Sequence, residues 1–240
     1  MALIIGTAGW SIPSKDAAAF IEQGTSLERY ASRFRGVEVN SSFYRPHRVT
    51  TWARWASSVP ADFRFSVKMP KTITHQHKLV DCADLLAQFF DEVSGLGEKL
   101  GVLLVQLPPK LAFESSVVAD FFALLASHTS VRPVCEPRHA SWFADDAEHL
   151  LEKLHVARVA ADPALTPSGS LPGGWRGLSY WRLHGSPVMY RSSYADRLAH
   201  YAKLISDGQE VSEDTWCMFD NTASSAATSD ALALMADLNG

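Results

Sequence analysis

The chain has 240 residues, of which 47% are hydrophobic and 20% are charged. This composition excludes a disordered chain and predicts a soluble globular protein with a large core, organised as a single domain over residues 1–240. The formal net charge of -4 gives no overall attraction to nucleic acid or to an anionic membrane, so any cationic site has to be local.

The start of the chain, MALIIGTAGW, has neither a basic segment nor the long apolar stretch of a signal peptide. The longest apolar runs, such as VLLV at 102–105, are too short to cross a bilayer. Cys82, Cys135 and Cys217 lack C-x-x-C spacing, which indicates buried, reduced thiols and not a disulfide framework. We therefore expect a cytoplasmic protein that does not associate with membranes.

Short apolar or alternating runs recur along the chain with helical patterns between them, which is typical of parallel strands joined by crossover helices. The predicted strands are LIIG (3–6), GVEVN (36–40), RFSVKM (64–69), GVLLVQL (101–107), RPVCEP (132–137), ARVAA (157–161), YWRLH (180–184) and TWCMFD (215–220). The capping pair Thr25 and Glu28 predicts the first helix. Further helices are predicted over residues 52–59, 82–94, 115–127, 142–154, 194–206 and 224–238.

One connection departs from this pattern. The stretch PALTPSGSLPGGWRGLS (163–179) holds prolines, glycines and serines where a sixth helix would lie, so we predict a long loop in which Trp175 is a candidate cover for a pocket. Eight strands that alternate with helices over this length predict an α/β fold, a single (β/α)8 TIM-like barrel. An open doubly wound sheet is the alternative, but GTAGWS (6–11) lacks the G-x-G-x-x-G spacing of a nucleotide-binding turn.

The predicted strands end in polar residues, and in a barrel these ends build the active site. The polar residues are Glu38, Asn40, Ser66, Lys68, Gln106, Glu136, Arg138, Asp162, Arg182, His184, Asp220 and Asn221. Residues two apart share one face of a strand, so Arg182 and His184 are expected inside the barrel while Trp181 and Leu183 face the helices. A purely structural network of ion pairs is the alternative explanation of this polarity.

The motifs at these positions resemble those of a known family. They are GTAGWS (6–11), VEVNSSFYRP (37–46), FRFSVKMPKTITH (63–75), GVLLVQLPP (101–109), EPRHASWF (136–143), YWRLHG (180–185) and FDNTASSAATSDA (219–231). In this order, and nearly end to end, the chain resembles the YecE-like family, which is catalogued as domain of unknown function number seventy-two. The resemblance implies a TIM barrel but supplies no activity. Ser225 and Asp230 depart from the family pattern, which has glycine and asparagine there.

The polar strand ends and the resemblance together give the candidate site residues. The catalytic candidates are Glu38, Glu136, His184 and Lys68. The substrate-binding candidates are Trp10, Asn40, Tyr44, His75, Gln106, Arg138, Trp142, Arg182 and Asn221. Loop aromatics among them supply flat surfaces on which a sugar or a base can stack.

The cations in this set predict the kind of substrate. Lys68, Arg138 and Arg182 would converge on one pocket, which suits a small anionic molecule that is phosphorylated, carboxylated or sugar-like. Glu38 and Glu136 are then candidates for the general acid and base, although Glu136 is equally well explained as a salt partner of the cations. We predict an enzyme that uses acid–base chemistry, with hydrolase as the favoured class.

Two other functions stay open from the sequence. Metal-dependent phosphodiester cleavage, on nucleic acid among other substrates, would use carboxylates and histidines such as His75 and His77 as ligands. The ligand spacing is weak and the acidic net charge disfavours a large nucleic-acid footprint, so we assign no metal ligand and no cofactor. A non-catalytic binding protein for an anionic metabolite is the other alternative. The sequence does not set the oligomeric state.

Overall fold

Strands and helices alternate along the chain in the computed structural model, which describes residues 2–209 and 212–239. The strands are β1 (Ala2–Thr7), β2 (Gly36–Val39), β3 (Arg64–Lys68), β4 (Leu100–Gln106), β5 (Arg132–Glu136), β6 (Ala157–Arg158), β7 (Ala160–Asp162), β8 (Gly173–Gly174), β9 (Leu178–Leu183) and β10 (Asp214–Phe219). The α-helices are α1 (Ser26–Ala31), α2 (Ser41–Tyr44), α3 (Val49–Ser57), α4 (Ala83–Val93), α5 (Ser115–His128), α6 (Asp145–Lys153), α7 (Leu198–Gln209) and α8 (Ala227–Asn239).

The strands form two ladders, in the orders β1-β10-β9-β7 and β2-β3-β4-β5-β6-β8. Every pair within them is parallel except β6 with β8. The ladders adjoin where Ala8, just after β1, bridges to Glu38 of β2. They adjoin again where β6 continues into β7, because only Val159 separates these two stretches. If β6 and β7 are counted as one strand position and the antiparallel β8 is left out, eight parallel strand positions alternate with the connecting segments. This α/β architecture is the TIM-like fold that the sequence predicted.

The sixth crossover is a long loop, as predicted. After β7 the chain forms a 3₁₀ turn, Pro167–Ser170, capped by the Thr166 hydroxyl, which accepts from the Gly169 N–H. It then forms the short β8, antiparallel to β6, which was not predicted. Gly174 in β8 has a φ of 60°, a conformation that side chains rarely adopt, so glycine is needed there.

The helices follow their predicted signals with some changes at the boundaries. The capping box forms, with the Thr25 N–H donating to Glu28 Oε2 at 2.7 Å. The predicted helix at 142–154 divides into a 3₁₀ turn, Ala140–Phe143, and α6, because Ala144 between them is extended. None of the helices in the described ranges combines the length and the apolar character needed to span a lipid bilayer. The three cysteines are free and buried, as expected.

The hydrophobic core has two parts, separated by the wall of strands. Between strands and helices lie side chains such as Val37, Phe65, Trp181 and Leu183, as the alternation predicted. The second part lies inside the barrel, and we call it the floor. The floor consists of Ile4, Val102, Leu104, Val134, Ala157, Val159, Leu178, Tyr180, Trp216 and Met218.

Trp216 is the largest side chain of the floor, and two glycines make room for it. Its indole stacks on the ring of Tyr180, with centroids 6.1 Å apart and planes 15° apart. A Cβ atom at Gly101 would lie 3.0 Å from the indole, and one at Gly36 would lie 2.4 Å from a methyl group of Ile4. The floor therefore closes the lower end of the barrel with a tightly packed aromatic layer.

Trp175 lies at this lower end of the barrel. Its ring packs against the floor and edge-on against His155, with centroids 5.5 Å apart. Trp175 lines, with His155, a cavity of about 470 Å³ at this end, so the pocket that it borders lies on the opposite side of the barrel from the polar strand ends.

Candidate active site at the barrel mouth

Above the floor, the upper ends of the strands bring polar side chains together inside the barrel. We call this group the polar cluster. Its members are Glu38 of β2, Ser66 and Lys68 of β3, Glu136 and Arg138 of β5 and its loop, Tyr180, Arg182 and His184 of β9 and its end, and Asp220 after β10. All except Arg138 are buried, and 19% of the Arg138 side chain is exposed.

Arg182 lies at the centre of the polar cluster. Its guanidinium donates to both carboxylate oxygens of Glu38 at 2.9 and 2.6 Å, to Glu136 Oε2 at 2.5 Å and to Asp220 Oδ2 at 3.1 Å. Burial lowers the pKa of Arg182, but the three carboxylates outweigh burial and hold this pKa well above its ordinary value. Every nitrogen of the guanidinium is thus occupied by the protein, so its planar fork is not presented to a ligand.

Glu38 is held from a second side by Tyr180. The Tyr180 hydroxyl lies 2.9 Å from Glu38 Oε2 and 2.7 Å from Ser66 Oγ. Burial, and to a smaller extent the charge of Glu38, raise the pKa of Tyr180 well above its ordinary value, so this phenol keeps its proton. Glu38 is completely buried, and its oxygens accept hydrogen bonds from Arg182 and Tyr180.

His184 lies between two carboxylates. Its Nε2 is 2.8 Å from Glu136 Oε1 and its Nδ1 is 2.9 Å from Asp220 Oδ2. Arg138 Nη2 lies 2.6 Å from the same Glu136 oxygen. Burial raises the pKa of Glu136, but Arg182, Arg138 and His184 outweigh it and hold this pKa well below the ordinary range. Glu136 is therefore ionised at neutral pH, and its geometry is that of a salt partner.

Lys68 differs from the other cations of the polar cluster. Only 8% of the residue is exposed, and its Nζ lies 4.3 Å from the centre of the Phe43 ring. Within residues 2–209 and 212–239 the ammonium has no hydrogen-bond partner. Burial and then the nearby Arg182 lower the pKa of Lys68 to about 8, although the charges of the cluster's carboxylates act in the opposite direction. An appreciable fraction of this amine is therefore neutral near physiological pH.

Three of the predicted site residues carry buried polar atoms that the described part of the chain leaves without a hydrogen bond. These atoms are Asn40 Oδ1, Arg138 Nε and Asn221 Oδ1. The amide of Asn221 is oriented by its nitrogen, which donates to Ser192 O at 2.9 Å and to Asp230 Oδ2 at 2.7 Å. Buried polar atoms are normally paired, so such atoms near a mouth are candidate contacts for a ligand.

Trp10, His75 and Gln106 lie near the upper rim. Trp10 packs edge-on against Trp55 and lines, with Asn40, a cavity of about 380 Å³. The His75 ring lies edge-on to Phe43, and burial followed by the charge of Lys68 lowers the pKa of His75. Gln106 is the last residue of β4 and pairs in register with Glu136.

Tyr44 and Trp142 lie outside the polar cluster. Tyr44 is 69% exposed and packs edge-on against Phe43. Trp142 is buried, and its Nε1 donates to Leu111 O at 2.9 Å. The indole of Trp142 therefore fastens the loop after β4 instead of joining the polar cluster, because its only polar atom is already paired.

Some members of the polar cluster were not among the candidate site residues. Ser66 and Asp220 were recognised only as polar strand ends, and Tyr180 was counted with the strand that it begins. Its position two residues before Arg182 is the signal that places it on the same face. Tyr190 also lies at the mouth, with its ring edge-on to His184 and a left-handed φ of 65°. The sequence places Tyr190 among the aromatic residues of the loops that follow the strands, but it does not indicate the contact with His184.

The carboxylates of the polar cluster are already engaged by cations, which bears on metal binding. Glu38, Glu136 and Asp220 all accept hydrogen bonds from Arg182. The part of the chain that the structure describes contains no group of three or more His, Cys, Asp or Glu side chains placed to hold a metal ion. The carboxylates that the sequence offered as metal ligands are therefore engaged by Arg182 instead.

The fold and the site together define a protein of the TIM-barrel-like class with a buried ionic network at its mouth. A comparison of folds agrees: a D-psicose 3-epimerase from Clostridium cellulolyticum H10, solved with D-tagatose, gives a TM-score of 0.59 at 8% identity. That comparison covers 100% of this chain and 98% of the epimerase. At this identity the similarity concerns the fold alone.

The chain belongs to the DUF72 family, described as a protein of unknown function, whose model matches residues 4–240. A DUF72 family protein from Enterococcus faecalis V583 gives a TM-score of 0.84 at 18% identity, covering 99% of this chain and 96% of that chain. The UPF0759 protein YecE from Escherichia coli K12 is 37% identical over 107 residues. This match spans 44% of the present chain and 38% of the E. coli protein. The resemblance seen in the motifs is therefore confirmed.

Proposed function

We propose that this protein is an enzyme that acts by acid–base chemistry on a small anionic substrate, with Lys68 as the group that transfers the proton. The observation that carries the proposal is the condition of Lys68, a nearly buried amine with a pKa near 8 and no hydrogen bond in the described chain. An ordinary lysine stays charged at neutral pH and cannot accept a proton, whereas this one is partly neutral.

The other polar residues divide into two roles under this proposal. Arg138 keeps part of its side chain exposed and has an unpaired Nε, so it supplies the charge that holds the anionic group. Glu38 and Glu136 both accept hydrogen bonds from Arg182, and these three act as positioning residues. They keep His184 and Asp220 in place at the mouth, because each of these accepts or donates within the same network.

Hydrolysis is the reaction class that we favour. Neutral Lys68 would take a proton from water, and the resulting hydroxide would attack the substrate while Arg138 holds its phosphate or carboxylate. The ring of Phe43, which lies against Lys68 and is half-buried, offers a surface for a sugar-like portion.

A thermal-shift screen with phosphorylated sugars, carboxylic acids and nucleotides, followed by assays for product, tests the proposal. A ligand that binds only the native state raises its stability, so at least one class of anion should stabilise the wild type. Arg138→Gln should remove that stabilisation, whereas Lys68→Met should keep binding and lose turnover. Lys71→Met, which changes an exposed lysine three residues away, is the matched control. Full turnover in Lys68→Met would contradict the proposed role.

A non-catalytic binding protein for an anionic metabolite is a second candidate function. The unpaired atoms Asn40 Oδ1, Arg138 Nε and Asn221 Oδ1 favour it, since they would be satisfied by a bound ligand whether or not chemistry follows. Stabilising anions that yield no product, and that bind Lys68→Met as tightly as the wild type, would support this function over the first. Metal-dependent cleavage has no corresponding support within the described residues.

A further inference from the structure

The surroundings of Lys68 differ from those of other lysines in the chain. Lys99 Nζ donates to the backbone oxygens of Ala56 and Val59 at 2.6 Å each. Lys203 Nζ is paired with Asp207 at 2.7 Å on the surface. Lys68 is more buried than either, yet its nitrogen lies against an aromatic ring and bonds to no oxygen in the described ranges. Its lone pair is therefore free to attack once the proton has left.

We propose that Lys68 is an imine-forming residue whose substrates are small oxo acids or other carbonyl compounds that carry an anionic group. The inference deepens the proposed function and rests on it, because the same anionic group would be held by Arg138. It adds a covalent bond to Lys68 and names the reactive group of the substrate, a ketone or an aldehyde.

The chemistry of the step is balanced without any further reagent. The neutral amine attacks the carbonyl carbon, a C–N bond forms, and the electron pair of the carbonyl moves to its oxygen, which is protonated. The carbinolamine then loses that oxygen as water, which carries away the two hydrogens that were on the nitrogen, and a C=N bond remains. The imine is a better electron acceptor than the original carbonyl once it is protonated.

The site supports both the attack and the protonated product. A lysine whose pKa is lowered to about 8 supplies neutral amine at physiological pH. The protonated imine carries a positive charge, and the carboxylates Glu38, Glu136 and Asp220 already act on the charge of Lys68 in the stabilising sense. The backbone of Lys68 is fixed as well, since the Ser42 hydroxyl donates to its carbonyl oxygen at 2.7 Å. The backbone that carries the amine is thus held in place, the amine itself has no hydrogen bond in the described chain, and carboxylates lie near enough to stabilise a positive charge on it.

Reductive trapping tests the inference. The wild type is incubated at neutral pH with pyruvate and sodium cyanoborohydride, and the modified lysines are mapped by mass spectrometry of peptides. The pKa of Lys68 predicts a neutral fraction roughly 200-fold larger than that of an ordinary lysine. Lys68 should therefore be labelled far faster than the exposed Lys71 in the same digest. Acetone, a carbonyl compound without charge, is the matched probe and should label Lys68 more slowly than pyruvate does.

Two variants sharpen the result. Lys68→Arg keeps a positive charge but cannot form an imine, so the fast adduct should vanish while labelling of Lys71 stays unchanged. Arg138→Gln should slow the reaction with pyruvate more than the reaction with acetone. Thermal unfolding of both variants shows whether they are folded, and labelling of Lys71 serves as an internal reference if one of them is not.

Labelling of Lys68 no faster than that of Lys71 would overturn the inference. If stabilising anions still bind through Arg138 and turnover still depends on Lys68, the proposed acid–base function survives that result and only the imine is rejected. A fast adduct in a protein whose Lys68→Met variant turns over every screened substrate would do the opposite. It would uphold the reactive amine and reject the acid–base role.

Discussion

The inside of the barrel has two halves of opposite chemistry, built from the same strands. On β9 the floor takes Leu178 and the ring of Tyr180, whereas the polar cluster takes the Tyr180 hydroxyl and Arg182. On β10 the floor takes Trp216 and Met218, and Asp220 follows directly after the strand. On β10 four residues, about 13 Å, lead from the stacked Trp216 to the buried charge of Asp220. On β9 Tyr180 joins the two halves, because its ring is in the stack and its hydroxyl bonds to Glu38.

The two halves differ in what their burial contributes to stability. Burying apolar side chains in the floor stabilises the fold directly, at roughly 25 cal/mol for each Å² removed from water. Burying several charges costs desolvation energy that their mutual attraction offsets only in part, so apolar side chains of similar volume would often do better. The desolvation energy of the polar cluster is therefore best explained by a role in binding or catalysis and not by a gain in stability.

Removing the central cation should have the largest effect. Arg182→Leu leaves three buried carboxylates without their shared partner, and we expect a loss of about 3–5 kcal/mol in the free energy of unfolding at neutral pH. The loss should shrink in acid, where the carboxylates become protonated. Urea unfolding at both pH values measures it. Lys203→Met, in the exposed pair with Asp207, is the control and should cost less than about 1 kcal/mol.

A matched change in the floor should be smaller and independent of pH. Leu104→Ala removes a completely buried side chain and should cost about 2–3 kcal/mol through lost burial and a cavity. Because the one titratable side chain of the floor in the described chain, Tyr180, keeps its proton, the cost should be the same across about pH 5 to 8. Loss of anion binding in this variant would show that the two halves are not independent.

Replacing Lys68 should stabilise the protein. Its pKa is lowered to about 8 in the folded state, so the charged form costs folding energy below that pH, and the cost disappears as the pH rises past the ordinary lysine value. We expect Lys68→Met to raise the free energy of unfolding by up to about 3 kcal/mol at neutral pH, since the pKa is lowered from about 10.4 to about 8 and one pKa unit equals 1.36 kcal/mol. The gain should vanish near pH ~10. Chemical denaturation of Lys68→Met and Lys71→Met side by side measures it, and a destabilised Lys68→Met would contradict the reasoning.

Acid should weaken the polar cluster before the floor. The cations of the cluster hold the pKa values of Glu136 and Asp220 below their ordinary values, despite burial. Their contribution is therefore complete above about pH 4 and is lost as the pH falls through the folded-state values. We expect about 1 kcal/mol of lost stability over the first pH unit below that point. Asp220→Asn should show a shallower acid limb, and an unchanged limb would remove Asp220 from the explanation.

The barrel was predictable because its signals are local. Hydrophobic runs of strand length, capping residues and the proline- and glycine-rich stretch at 163–179 each report on their own neighbourhood. The division of the sixth predicted strand into β6 and β7 at Val159 and the pairing of β6 with β8 were not predictable. They depend on how Gly174 adopts its left-handed conformation and on contacts that form only after the loop has returned to the barrel.

The candidate site was predictable only in part. Strand parity indicated that Glu38, Lys68, Arg182 and His184 face the interior, because alternation is a property of each strand alone. Parity cannot say which cation meets which carboxylate, and so Arg182 and Lys68 looked equivalent in the sequence. In the structure one is saturated with hydrogen bonds and the other has none within the described chain. Such a difference depends on distances between strands that are far apart in sequence.

The aromatic floor also determines by which end of the barrel a substrate enters and a product leaves. Trp216, Tyr180 and their neighbours fill the lower barrel, so no route to the polar cluster leads through that end. A small molecule that reaches Lys68 has to leave by the route along which it came. Product and substrate would then exclude each other, and we expect a product of the proposed reaction to inhibit competitively.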